Sequence, residues 1–165
     1  FSPTPETDFD KSTYSGFYGT TYSTSGFWLN NPDSIEVWKN KSFSGNNINV
    51  EIKEGTESST YDSMFFYSHL KEDDKYPVFL DGNHAYEKIT NSDCKNGKKL
   101  LIIKDSFAHS LVPFLAADYS EIITVDMRYY KEPVSDILKT EGITDTLIVY
   151  SLENLYSSTD INWLS

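Results

Sequence analysis

A serine at the mouth of an apolar run is the most chemically suggestive feature of this sequence. Ser106 follows Lys99-Leu-Leu-Ile-Ile-Lys104 and Asp105, and it precedes Phe107, Leu111, Phe114 and Leu115, which recur at helical spacing. A serine on a sharp strand-to-helix turn has an exposed hydroxyl. Its own N–H, that of Phe107 and the positive helix end can hold a developing oxyanion. The simpler alternative is that Asp105 or Ser106 is an ordinary N-cap.

A nucleophilic serine needs a base within hydrogen-bond reach and a third group to orient that base. The sequence has three histidines. His69 falls on a polar face of an expected helix and reads as a surface residue. His109 follows Ser106 by about one helical turn, a spacing that usually places a residue on the helix surface. In Asp81-Gly-Asn-His84, His84 is the candidate base and Asp81 its candidate orienter, or both are plain turn residues. Gly82 and Asn83 would supply oxyanion donors, a backbone N–H and a side-chain amide.

These groups must be positioned by a scaffold, and the last third of the chain outlines one. Lys99–Lys104 is a near-continuous apolar run, as expected of a strand covered on both faces, Glu121–Asp126 reads as a second buried strand, and Thr146–Tyr150 as a third strand. Between them lie expected helices at Ser106–Ala117, with a kink at Pro113, and at Pro133–Thr140, stopped by Gly142. Strand, helix, strand, helix, strand with short links means a parallel sheet. Ligands of such sheets bind beyond the carboxyl ends of the strands. The three tips here are Lys104–Phe107, Asp126–Tyr130 and Tyr150–Asn154.

The first half is less regular. Residues 1–34 are rich in Ser, Thr, Tyr and Gly and read as extended loops or short edge strands. Ile35–Trp38 and Asn47–Lys53 alternate and suggest an antiparallel hairpin or meander. A short helix is expected from Ser63 to about Asp74, then short strands at Val78–Leu80 and Tyr86–Thr90. The expected organisation is a single domain over 1–165. Residues 1–75 form its extended, β-rich part and 76–165 its α/β part. The fold class is α/β, a short parallel sheet with flanking helices plus antiparallel strands from the N-terminal half.

Composition narrows the function. Lys and Arg number 14 against 25 Asp and Glu, a net charge of −11. That balance argues against nucleic acid and against anionic lipid, both of which need clustered Lys and Arg. Aromatic residues make up 15 %, and Trp28, Trp38 and Trp163 are candidates for stacking on sugar rings or for core packing. Cys94 is the single cysteine, so no internal disulfide forms, and the scattered histidines offer no metal-ligand spacing. No cofactor is expected: glycine-rich phosphate-binding sequences are absent. No apolar stretch reaches the ~18 residues of a membrane span. A chain beginning at Phe1 is expected to have lost a signal peptide or an N-terminal part.

Lys99–Ala108, Leu111-Val-Pro-Phe-Leu115, Tyr119–Ile122 and Asp126-Met-Arg-Tyr-Tyr130, with Gly82-Asn-His84 and Tyr150–Asn154, resemble the C-terminal segment of the bacterial DHHW proteins. Those proteins in turn resemble the SGNH-hydrolase-like domains of the alginate O-acetyltransferase group. The resemblance implies an SGNH/flavodoxin-like fold, partial in this chain, an extracytoplasmic bacterial setting, and a Ser, His and Asp set acting on acetyl esters of polysaccharides. Ser106 inherits the nucleophile role, and Asp81-x-x-His84 has the Asp-x-x-His spacing of SGNH enzymes. The Asp-His-His-Trp motif that would supply the family's Asp and His does not occur in these 165 residues. The chain alone is therefore expected to hydrolyse simple acetyl esters poorly or not at all. The alternative is a non-catalytic carbohydrate-binding or structural module of a cell-surface protein.

Overall fold

A computed structural model of the chain describes residues 4–26, 29, 31–43 and 46–157. Its centre is a mixed six-stranded sheet in the order β4-β3-β5-β7-β6-β8. The strands are β3 (Ile48–Glu54), β4 (Glu57–Tyr61), β5 (Tyr86–Asn91), β6 (Lys99–Lys104), β7 (Glu121–Asp126) and β8 (Asp145–Val149). Strands β7, β6 and β8 run parallel, with Leu100 opposite Ile122 and Ile102 opposite both Thr124 and Leu147. The other pairings are antiparallel.

The apolar runs of β6 and β7 fill both faces of the sheet. Leu100, Ile102 and Ile122 point to one core with Val112 and Ala116, and Leu101, Ile103, Ile123 and Val125 point to the other with Val134 and Ile137. The first face is covered at α2 (Val112–Leu115) and the second by α3 (Val134–Thr140), after which Gly142 takes the left-handed conformation at φ +67°.

Several expected elements differ. The helix anticipated over Ser106–Ala117 is divided into a 3-10 turn at Ser106–Ala108 and the short α2. Pro113 has no N–H, and its ring would clash with the carbonyl of His109 in a continuous helix. Ser63–Asp74 is not a helix either. Phe66 N–H donates to Val78 O (2.7 Å) and Leu80 N–H to Met64 O (3.0 Å), and Phe65 and Phe79 form an antiparallel bridge. Only Tyr67–Lys71 coils, as a 3-10 turn. The backbone groups a helix would have used are spent on the 78–80 segment, where a 3-10 turn, Tyr76–Val78, and that single bridge replace the expected strand.

In the N-terminal half, β1 (Phe9–Phe17) pairs with β2 (Asp33–Asn40) in a separate two-stranded sheet. The expected partnership of Ile35–Trp38 with Asn47–Lys53 is therefore absent: β3 lies between β4 and β5. A short helix, α1 (Thr20–Ser25), connects β1 to β2, and α4 (Leu152–Ser157) follows β8. Ile35 and Val37 of β2 pack against Phe65, Val78 and Phe79. No helix among the described residues is long and apolar enough to cross a membrane.

Candidate active site

At the carboxyl end of β6, Asp105 caps the turn that carries Ser106. Its carboxylate accepts from Phe107 N–H (3.0 Å), Ser151 N–H (2.7 Å) and Asn154 Nδ2 (2.9 Å). Burial pushes the Asp105 carboxyl up, but these donors outweigh it, and the group titrates below its ordinary range. The N-cap reading thus holds for Asp105, while Ser106 is half-buried and lines a cavity of about 660 Å³. Gly82, Asn83, Tyr76, Phe107 and His109 line the same space.

The expected oxyanion donors separate here. Phe107 N–H is spent on Asp105, and Gly82 N–H donates to Phe79 O at 3.3 Å. Neither backbone amide is free. Asn83 remains, among the residues lining the cavity, and the N–H of Ser106 has no acceptor among the described residues.

No described histidine hydrogen-bonds to Ser106. His84 Nδ1 lies 2.5 Å from Glu54 Oε1; its Nε2 is buried without a partner and is 4.0 Å from Asp81 Oδ2. Asp81 bonds most closely to His69, Oδ1 to Nε2 at 2.6 Å, and keeps only the longer 4.0 Å approach to His84. His69 is accordingly no plain surface residue. His109 departs most from expectation: it is 1 % exposed, with its ring stacked on Tyr76 at 5.9 Å between centroids. Lys104 Nζ donates to its Nε2 at 2.8 Å. Burial, aided by the Lys104 charge, pushes the imidazole down to about 2. A ring whose lone pair is held by an ammonium cannot take a proton from Ser106.

Behind the turn lies a buried polar network. Lys104 and Glu87 are both fully buried, with Nζ 3.3 Å from Oε2, and Thr124 Oγ1 donates to the same carboxylate oxygen. Burial pushes the Glu87 carboxyl up, against the pull of Lys104 and Thr124.

Asp81 stands in an unusual turn. Leu80 and Asp81 have φ of +59° and +61°, and Gly82 follows at +95°. Side chains seldom adopt this conformation, and two in succession persist only when the surroundings hold them. Leu80 is fully buried and bonded to Met64, and Asp81 is held by His69. The His69 imidazole is pushed above its ordinary value by the Asp81 bond, with burial opposing and Glu72 assisting. A raised folded value means the pairing contributes fully below about pH 6.5 and fades as pH rises through the higher, folded-state value. The chain is expected to lose more thermal stability between about pH 6 and pH 8 than a His69→Gln variant. Equal pH slopes in thermal denaturation would show that the pair does not hold the turn.

Tyr76, Arg128 and Asn154 were not singled out by sequence. Tyr76 Oη donates to Phe107 O at 3.1 Å and Arg128 bonds to Asn83. Arg128 and Asn154 lie on the second and third strand tips, which was the available signal. Trp38, a candidate for sugar stacking, is already packed: Lys11 Nζ sits 3.7 Å from its ring centroid, and Phe9 and Phe114 are each 5.9 Å away. Trp28 and Trp163 lie outside the described residues. Among those residues no cluster of three His, Cys, Asp or Glu could hold a metal.

A family model described as DHHW protein matches residues 4–125. Among solved structures, the chain is similar to a DHHW family protein from Eubacterium siraeum DSM 15702: 22 % identity, TM-score 0.76, over 98 % of this chain and 54 % of that one. It is similar also to Bacillus cereus PatB1 with a sulfonyl adduct: 20 % identity, TM-score 0.78, over 98 % of this chain and 52 % of that one. A second structure of Bacillus cereus PatB1 matches at 21 % identity and TM-score 0.73, over 92 % and 52 %. The chain spans about half the length of these structures, and no curated protein matches it.

Proposed function

Since the chain belongs to the DHHW protein family, we propose that it carries the nucleophile half of an SGNH-like acyl-ester hydrolase or O-acetyltransferase. Ser106 is the acyl acceptor, and Asn83 with the Ser106 N–H holds the oxyanion. The observation that carries this reading is the meeting of Ser106 and Asn83, from separate segments, in one cleft beyond the carboxyl end of a parallel strand. No histidine among the described residues is hydrogen-bonded to Ser106: His69 and His109 are engaged elsewhere, and His84, whose Nε2 has no partner, does not line the Ser106 cavity. The reading therefore takes the base from a part of the protein outside these 165 residues, which span about half of the related structures. The sulfonyl adduct named for PatB1 supports it, because sulfonyl electrophiles report nucleophilic side chains. The same reading makes the substrate an acetylated polysaccharide outside the cytoplasm.

Without a base the serine hydroxyl is a weak nucleophile. The chain is expected to turn over p-nitrophenyl acetate no faster than its Ser106→Ala variant. Added imidazole, standing in for the base, is expected to raise parent turnover at least about tenfold above that of the variant, a modest share of the 10²–10⁴ of general-base catalysis. Indistinguishable rates in imidazole would remove Ser106 from the chemistry. Rapid turnover without imidazole, abolished in Ser106→Ala, would place a base within the chain, and His84 would be examined first.

A further inference from the structure

Asn83 has an amide with two unlike ends, and only the –NH₂ end stabilises an oxyanion. Arg128 decides which end faces the cleft. Its Nη2 lies 3.2 Å from Asn83 Oδ1. A guanidinium carries donors only, so the amide atom turned towards it must be the oxygen. The guanidinium is itself anchored at the carboxyl end of β7. Its Nε lies 2.9 and 3.2 Å from the two oxygens of Asp126, its Nη2 lies 2.5 Å from Oδ2, and Arg128 N–H donates to Oδ1 at 3.0 Å. Asp126 is fully buried. A rigid strand end thus reaches, through a planar fork, a side chain that is otherwise exposed.

We propose that Arg128 is a positioning residue of the Ser106 site: it grips the Asn83 amide by its oxygen and so presents the amide –NH₂ to the cleft as an oxyanion donor. The inference rests on the reading of Ser106 as acyl acceptor. Two constraints converge on Asn83. The left-handed run Leu80-Asp81-Gly82 fixes where its backbone stands, and Arg128 fixes which way its side chain turns. A donor oriented before the reaction needs no reorganisation as charge develops. Among the described residues Arg128 hydrogen-bonds to Asp126 and Asn83 and not to Ser106, so it acts through Asn83. A purely structural Arg128 would do no more than neutralise Asp126.

Two measurements separate these roles. The first is ¹⁵N relaxation of the Asn83 side-chain amide in the 165-residue chain, which needs no activity. The parent amide is expected to be ordered, with an order parameter near ~0.85, and to fall below about 0.6 in Arg128→Met. Arg128→Lys keeps a cation on Asp126 should the Met variant fail to fold, and the same fall is expected, because a single ammonium does not span both partners. An Asn83 amide equally ordered in a folded Arg128 variant would overturn the proposal. The second is the rate at which phenylmethanesulfonyl fluoride modifies Ser106 in the presence of imidazole, followed by mass spectrometry. Asn83→Ala and Arg128→Lys are each expected to slow modification about tenfold or more, and the double variant no further. Additive losses would show that Arg128 acts by another route and overturn the proposal. If Ser106 of the parent is not modified at all, the acyl-acceptor reading fails, and the relaxation data still judge the grip of Arg128 on Asn83.

Discussion

Replacing Lys104 by methionine is expected to destabilise the chain by about 3–5 kcal/mol, the range for removing one partner of a buried ion pair. Lys104 and Glu87 are both fully buried, so the substitution strands a carboxylate that retains only the Thr124 hydroxyl. It also frees Nε2 of the buried His109. Urea denaturation of the two proteins measures the loss. The double variant Lys104→Met, Glu87→Leu is expected to regain much of it, since apolar side chains of similar volume replace such pairs at little or no cost. A loss under about 1 kcal/mol in the single variant would be the value of an exposed pair and would contradict the burial described.

Asp105→Ala is expected to cost on the order of 2–3 kcal/mol, through the loss of an N-cap and the stranding of donors worth about 1–3 kcal/mol each. The carboxylate ties Phe107, Ser151 and Asn154 together, so the damage spreads from the Ser106 turn to the segment after β8. Asp105 titrates below its ordinary range in the folded chain. Its stabilisation is therefore present above about pH 4 and is lost as pH falls through the lowered value. Denaturation midpoints of parent and Asp105→Ala are expected to differ at pH 7 and to converge in acid. A difference that persists unchanged in acid would assign the effect to packing instead.

How far the sequence could be read depended on where each residue's partners lie. Strands β6 and β7 announced themselves because Leu100–Ile103 and Ile122–Val125 meet apolar cover on both faces, and that demand writes a continuous apolar run. Strand β4 left no such mark. Glu57–Tyr61 is exposed throughout, and its pairing with β3 follows from the tight link at Gly55 and Thr56, not from hydrophobic pattern. The Ser63–Asp74 segment misled because Met64, Phe65, Tyr67 and Leu70 fall at helical spacings, whereas Met64 and Phe65 enter two different apolar clusters. At the site, the Ser106 turn was legible because a strand-to-helix turn is a local feature. Local spacing could not show that Arg128 reaches Asn83 or that Asn154 reaches Asp105, because those bonds exist only after the sheet closes. Nor did a lysine at a strand end suggest a fully buried ammonium pressed against His109, since lysine is rarely buried without a partner.

The bonds from Asp105 to Ser151 and Asn154 span 46 and 49 residues, and they give the site a date as well as a place. During synthesis at roughly 5–20 residues per second, the Ser106 turn leaves the ribosome roughly 2 to 10 s before the last of its anchors is made. Through that interval β6 has emerged but the carboxylate beneath the serine lacks two of its three donors. Translation that halts before Ser151 leaves a polypeptide whose Asp105 keeps only the Phe107 N–H of its three donors. The cleft at Ser106 is thus finished only when a segment 49 residues further along the chain has joined a single aspartate.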